Sequence, residues 1–430
     1  MLSKILAIAG LTIRTAIRSR VFALLLALVV ISCAGLPLII KSDGTVAGQA
    51  QLFIHYAFGL AVALLSLAAA WSAAGAVSLE VSGRQMHVLR TKPVHAFEVW
   101  LGKWLGLLTI NLVMLALAGG LIYALLRWTT HSAVLPANDQ QRLREEILRA
   151  HRVVAPDQPR IARDKPLAQV ERGLLAVPPE GTQSWTFRLP EGSRPALFLQ
   201  FRFATSRIER QMPVAGEWLI TADETSGPYS VSGSYTPHVN HTLKLPPGKP
   251  GQKLTVTYKN VETTAPATVV FAADPGSGLS LLIHETSFES NFLRALLLVL
   301  ARLAFFSALG LTAGMLFSFP VAVFTALGFL LMTALRGGVG AKALAIEEES
   351  AHSLLTEALN TVLNGIWQLA NLIAPPLARF DPLNFLPTGG FIPWTLVGQA
   401  WAVLVLAYGG ALALLGIWRF SRREMYLAAG

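Results

Sequence analysis

Six runs of about twenty apolar residues divide this chain of 430. A helix rises 1.5 Å per residue, so about twenty residues carry it across about 30 Å of hydrocarbon. The runs cover roughly 21–40, 52–77, 101–126, 292–313, 315–335 and 394–418. Only 14% of the residues are charged, against about 25% in a soluble domain. Mean hydropathy is +0.51. A soluble enzyme, a disordered regulator and a fibrous protein are excluded on that composition. The expected fold class is an α-helical polytopic membrane protein with six transmembrane helices.

Between the third and fourth runs lies a polar insert of different character. Residues 131–178 are polar and rich in arginine, and 140–152 read as one exposed helix. From 184 to 285 the pattern changes to short β runs separated by Gly, Pro and Asn. Trp185 to Leu189, Leu197 to Phe203, Trp218 to Ile220, Leu254 to Tyr258 and Val269 to Phe271 are the clearest. Short strands at that spacing predict an inserted all-β domain of sandwich or jelly-roll type. The expected domains are therefore 1–127 (an interfacial helix and three spans), 128–290 (the insert) and 291–430 (three further spans). In the last, 347–373 reads as an amphipathic helix on the outer surface, ended by Pro375-Pro376.

The net charge of +10 would suit a nucleic-acid binder, but its distribution argues against one. Residues 128–292 hold 17 Lys/Arg against 16 Asp/Glu, so the insert is nearly neutral. The excess flanks the apolar runs, where it sets orientation. With the N-terminus inside, the inner segments carry eleven basic residues against three acidic ones, and the short outer connections five against six. Both termini are then cytoplasmic and the insert extracytoplasmic. Residues 3–20 form an amphipathic helix at the inner surface. Ile5, Ala9, Ile13 and Ile17 share one face and Arg14 and Arg18 another, a pattern suited both to orientation and to an anionic leaflet.

The loop between the second and third spans has its own signature. Glu80 closes the second span, Gly83, Arg84 and Arg90 follow, Lys92-Pro93 breaks the chain, and Leu101-Gly102-Lys103 opens the third span. This pattern resembles the membrane subunits of type-2 ABC exporters. In that family a Glu ends the second span, a short Gly-containing helix follows, and a Lys-Pro break leads to Leu-Gly-Lys. Arg84-Gln85 stands where the family more often has small or acidic residues. The motif covers about 25 residues, while the six-span layout covers all the spans. The large β insert is not part of the family's minimal form.

The resemblance implies a coupling helix that sits in a groove of a separate ATPase subunit and passes on its motion. It also implies a dimer with a second permease copy or a paralogue. No phosphate-cradling G-x-x-x-x-G-K-[ST] loop occurs in the chain, so ATP and Mg²⁺ would be held by the partner and no cofactor by this chain. A loop of positive charge that only fixes orientation is the competing reading of 78–104.

Three further features bear on function. Arg294 and Arg302 lie within the fourth span, where a charge is costly. Arg294, near the outer end, snorkels. Arg302 pairs with an acid or a lipid phosphate, or lines a path for an anionic substrate. Gly310 and Gly314 form G-x-x-x-G, which permits close helix approach within the subunit or between subunits. Cys33 is the one cysteine, in the first apolar run, which excludes an intramolecular disulfide. The nine histidines suggest no metal site, and no catalytic constellation is apparent.

The expectation is a permease subunit of an ATP-driven exporter in a bacterial inner membrane, moving a lipid, glycan or hydrophobic substrate. Its β domain would meet a periplasmic or cell-surface partner, and no nucleic acid is involved. The alternative is a non-transporting anchor or sensor that displays a ligand-binding β-sandwich.

Overall fold

The computed structural model describes residues 1–18, 20–39, 46–82, 95–132, 149–157, 174–190, 197–206, 212–222, 229–246, 248–249, 251–263, 266–272, 278–338 and 375–422. They fall into two compact units. One comprises Met1–Ile147, Glu289–Thr388 and Ile392–Gly430, and the other Leu148–Phe288 with Gly389–Phe391.

The first unit is helical. It contains α1 (Leu2–Arg18), α2 (Arg20–Ile39), α3 (Val46–Phe53), α4 (Gly59–Ser82) and α5 (Ala96–Ser132). After the second unit come α6 (Phe288–Leu316), α7 (Phe319–Gly338), α8 (Trp394–Ala400) and α9 (Gly410–Arg422). A π-helical turn, Ile54–Phe58, joins α3 to α4, and a longer one, Trp401–Gly409, joins α8 to α9. Four continuous helices among the described residues are long and apolar enough to cross a membrane: Gly48–Glu80, Ala96–Thr130, Phe288–Leu316 and Trp394–Ser421. The chain therefore has a membrane-type helical part. The ranges expected for the first and fifth spans are occupied by the 20-residue helices α2 and α7. The amphipathic helix expected over 347–373 lies outside the described residues.

α6 forms the centre of this unit. Ala295, Val299, Ala301, Leu303, Ala304, Phe306 and Leu311 on it are fully buried, as an all-round apolar helix requires when other helices surround it. Gly310 and Gly314 lie against the α4 backbone: a Cβ on Gly310 would stand 2.6 Å from the Ala70 carbonyl, and one on Gly314 2.5 Å from that of Ala74. The G-x-x-x-G pair thus packs helices within this subunit. Partner numbers show the helix directions. Trp401 Nε1 donates to the Leu297 carbonyl and Thr312 Oγ1 to that of Leu412, so the final helix runs parallel to α6. Tyr123 meets Phe292 while Trp104 Nε1 donates to the Ala304 carbonyl, so α5 runs antiparallel. Cys33 is fully buried, with Sγ 3.9 Å from the Ala57 carbonyl.

The second unit holds eleven strands among the described residues, β1 (Arg149–Val154), β2 (Leu174–Val177), β3 (Thr182–Arg188), β4 (Leu197–Phe201), β5 (Phe203–Thr205), β6 (Val214–Ala222), β7 (Tyr229–Tyr235), β8 (His241–Leu245), β9 (Lys253–Asn260), β10 (Val269–Ala272) and β11 (Leu279–Ser287). They form three antiparallel sheets in the orders β1-β11-β4-β8, β2-β10-β5 and β3-β9-β6-β7. One core unites them. Trp185, Phe187, Trp218, Val256 and Tyr258 from one sheet pack with Leu199, Phe201, Phe203, Phe271, Leu281 and Ile283 from the others. Period-two burial produces this: on β6, Val214, Gly216, Trp218 and Ile220 are buried while the residues between are half-exposed.

The helix expected over 140–152 is not a helix over its last part. Arg149–Val154 is β1, in register with β11 from Arg149 opposite Ser287 to Val154 opposite Leu281. Its outer edge is occupied as well. His151 donates its N–H to the Gly389 carbonyl at 2.7 Å and accepts from the Phe391 N–H at 2.8 Å, so Gly389–Phe391 docks beside it.

Candidate functional site

The site begins where α4 ends. Its last turns carry Ala76 and Glu80, and α5 starts sixteen positions beyond Glu80, at Ala96. Lys103, on the second turn of α5, returns to that terminus: Nζ donates to Glu80 Oε1 at 2.6 Å and to the Ala76 carbonyl at 2.8 Å. The Lys103 side chain is 4% exposed and that of Glu80 24%. A cation near the negative end of a helix dipole is stabilised, and Lys103 there bonds both a carboxylate and a backbone carbonyl. Glu80 and Lys103 are thereby clamped together at the base of the connecting segment.

The start of α5 is fixed separately. Glu98, 1% exposed, accepts the His95 backbone N–H at 3.0 Å through Oε2. This is the return half of a capping box, with the acid at the third helical position. Sequence inspection missed it, although an acid three positions after a loop residue is a readable start signal.

Gly102 and Gly106 explain the small residue beside Lys103. A Cβ on Gly102 would stand 2.8 Å from the Ile8 Cβ and 2.9 Å from the Ile5 carbonyl. One on Gly106 would stand equally close to Thr12 and the Ala9 carbonyl. These two glycines form a groove on α5 that receives α1 along its buried face of Ile5, Ala9 and Thr12. Leu2, Leu6, Leu11 and Ile17 of α1 remain exposed.

From the clamp, α5 is bolted inward. Trp100 Nε1 donates to Thr312 Oγ1 at 3.4 Å, and that hydroxyl donates to the Leu412 carbonyl at 3.0 Å. Trp104 Nε1 reaches the Ala304 carbonyl, and Asn111 Nδ2 donates to Ser307 Oγ at 2.8 Å. The first turns of α5 are therefore hydrogen-bonded to α6, and through Thr312 to the final helix. None of these partners was singled out in the sequence, because each pairing spans about 100 to 212 positions.

Of the residues singled out in the loop, Glu80 and Lys103 come together, while Gly102 faces α1. Gly83, Arg84, Arg90, Lys92 and Pro93 lie outside the described residues. Arg294 and Arg302 lie on α6 and are not part of the clamp. Arg294 is 8% exposed, donates from Nη1 to the Ile392 carbonyl at 2.9 Å, and lies 5.0 Å from the centre of the Trp394 ring. Arg302 faces Asp381, Nη1 to Oδ2 at 3.7 Å. Among the described residues no group of three or more His, Cys, Asp or Glu is placed to hold a metal.

No protein-family model matches the chain, and no curated protein matches it.

Proposed function

We propose that this chain is the permease subunit of an ATP-driven ABC exporter, with six spans, both termini cytoplasmic and the β unit, a sandwich, extracytoplasmic. The observation that carries the reading is the Glu80–Lys103 clamp. A segment that only set orientation would need positive charge and no more. A segment that receives mechanical work needs ends that move as one body, and an ion pair on a buried lysine with a second hydrogen bond provides that. The bolts from Trp100, Trp104 and Asn111 then give the motion a route into the helical unit. Rigid-body transmission of this kind is a common switching device. The chain has no phosphate-binding loop, so ATP and Mg²⁺ belong to a companion subunit. The working form is a two-fold dimer of permeases, the commonest closed symmetry, in a bacterial inner membrane.

Purification from native membranes tests this reading. A permease brings down an ATPase that carries the phosphate-binding loop. An anchor or sensor comes down without one.

A further inference from the structure

The fold treats the two arginines of α6 differently. Arg294 donates through its two Nη atoms, to the Ile392 carbonyl and to Ser290 Oγ at 3.4 Å, and lies against the Trp394 face. Arg302 lies eight residues further along, about 12 Å at helical rise. Its side chain is only 16% exposed. Its one charged neighbour among the described residues is Asp381, at 3.7 Å, beyond hydrogen-bond reach. Arg302 Nε is buried without a hydrogen-bond partner, and the Phe306 ring centre lies 5.9 Å from the guanidinium carbon.

Asp381 is already occupied in part. Its Oδ1 accepts the Leu383 N–H at 3.0 Å and caps the turn Pro382–Asn384. It sits close enough to balance the arginine's charge and too far to satisfy its donors. A guanidinium has five N–H donors in a planar fork that matches two oxygens of a carboxylate or phosphate. In a membrane-type helix, leaving that fork without hydrogen bonds is expensive unless a ligand fills it.

We propose that Arg302 is the receptor for an anionic oxygen group, phosphate or carboxylate, on a molecule that enters the helical unit, and that Asp381 is the counter-ion this group displaces. The inference rests on the permease reading for why such a molecule enters at all, and it narrows the substrate class to anionic compounds. Asp381 balances the charge of Arg302. An arriving anion takes the fork bidentately and leaves Asp381 to its turn.

The test uses the purified full chain in detergent. Retention of phosphatidylglycerol and of phosphatidylcholine is measured by native mass spectrometry, and protection by inorganic phosphate by thermal shift. A charge-assisted fork is strong enough for phosphatidylglycerol to be retained about tenfold more than phosphatidylcholine. Arg302→Gln removes that preference, Arg302→Lys keeps part of it, and Asp381→Asn raises it severalfold by removing the competing carboxylate. Protection by inorganic phosphate that is lost in Arg302→Gln, without a lipid preference, assigns the same site to a water-soluble anion. Wild-type selectivity in Arg302→Gln overturns the proposal. So does lost selectivity in a folded Asp381→Asn, which would make the pair structural, and that variant decides the matter if Arg302→Gln fails to fold. No companion ATPase takes part in these measurements, so their failure leaves the permease reading to its own test.

Discussion

Lys103 and Glu80 meet at 2.6 Å across 23 positions of chain, and the lysine's remaining contact is the Ala76 carbonyl one turn earlier on the same helix as Glu80. Lys103 therefore grips two successive turns of α4. Replacing it by methionine keeps the bulk of its stem and removes both bonds. Lys103→Met should lower stability by about 1.5–3 kcal/mol, the usual cost of a hydrogen bond to a charged group. Adding Glu80→Gln should recover part of the loss, because the two sites share one interaction. Thermal unfolding of the four proteins in detergent measures the coupling. Strict additivity would mean that the pair is not a clamp.

Gly102 and Gly106 predict a size limit. A methyl at either position meets α1 backbone and Cβ atoms at 2.8–2.9 Å, which neither helix can yield without moving apart. Gly102→Ala should destabilise by about 1–3 kcal/mol, the range for overpacking, and should expose α1 to proteolysis. Gly120, on the same helix with nothing within 4 Å of a Cβ, is the control. Gly120→Ala should be neutral or stabilising by up to about 1 kcal/mol through helix propensity.

The β core contains a polar group it does not use. Tyr258 Oη is buried without a hydrogen-bond partner, and burial pushes its phenol well above the usual range. Tyr258→Phe removes an unsatisfied hydroxyl and keeps the ring against Trp218 and Phe271. It should leave stability unchanged or raise it by about 1 kcal/mol. Trp218→Ala, in the same cluster, should cost about 3–5 kcal/mol. Calorimetry on the full chain separates the two outcomes.

His284 gives the β unit a pH dependence. Its ring lies 6.2 Å from that of His151, with Arg149, Arg152 and Glu285 as the charged groups nearby on β1 and β11. Burial lowers the imidazole below its usual 6.5, Arg149 adds to this, and Glu285 opposes it. Below 6.5 the unfolded chain takes the proton before the folded one. Stability is therefore full above that value and declines as pH falls toward the lowered one. Hydrogen exchange in β1 and β11, corrected for intrinsic rates, should rise between about pH 7 and about pH 5. His284→Gln should flatten the response.

What the sequence made legible was local. Apolar runs of span length needed no partner to be recognised, nor did the alternation of Trp218 and Ile220 or the glycines at 310 and 314. What failed was non-local. Residues 142–148 are good helix formers, and nothing adjacent reveals that Arg149–Val154 pairs with Leu279–Ser287, more than a hundred positions away. Strand formation there follows from pairing and burial rather than propensity. The docking of Gly389–Phe391 beside His151 had no sequence signal either. At the candidate site, Glu80, Gly102 and Lys103 stood out because a motif flanked them, whereas Thr312, Leu412 and Asp381 are ordinary residues until the fold brings them to Trp100 and Arg302.

The most direct measurement places a photoreactive amino acid at position 90, in place of Arg90, and irradiates native membranes. The account predicts a cross-link to a protein that carries a phosphate-binding loop, with a yield that changes when ATP is added. Cross-links to lipid alone, or to no nucleotide-binding protein, would contradict it.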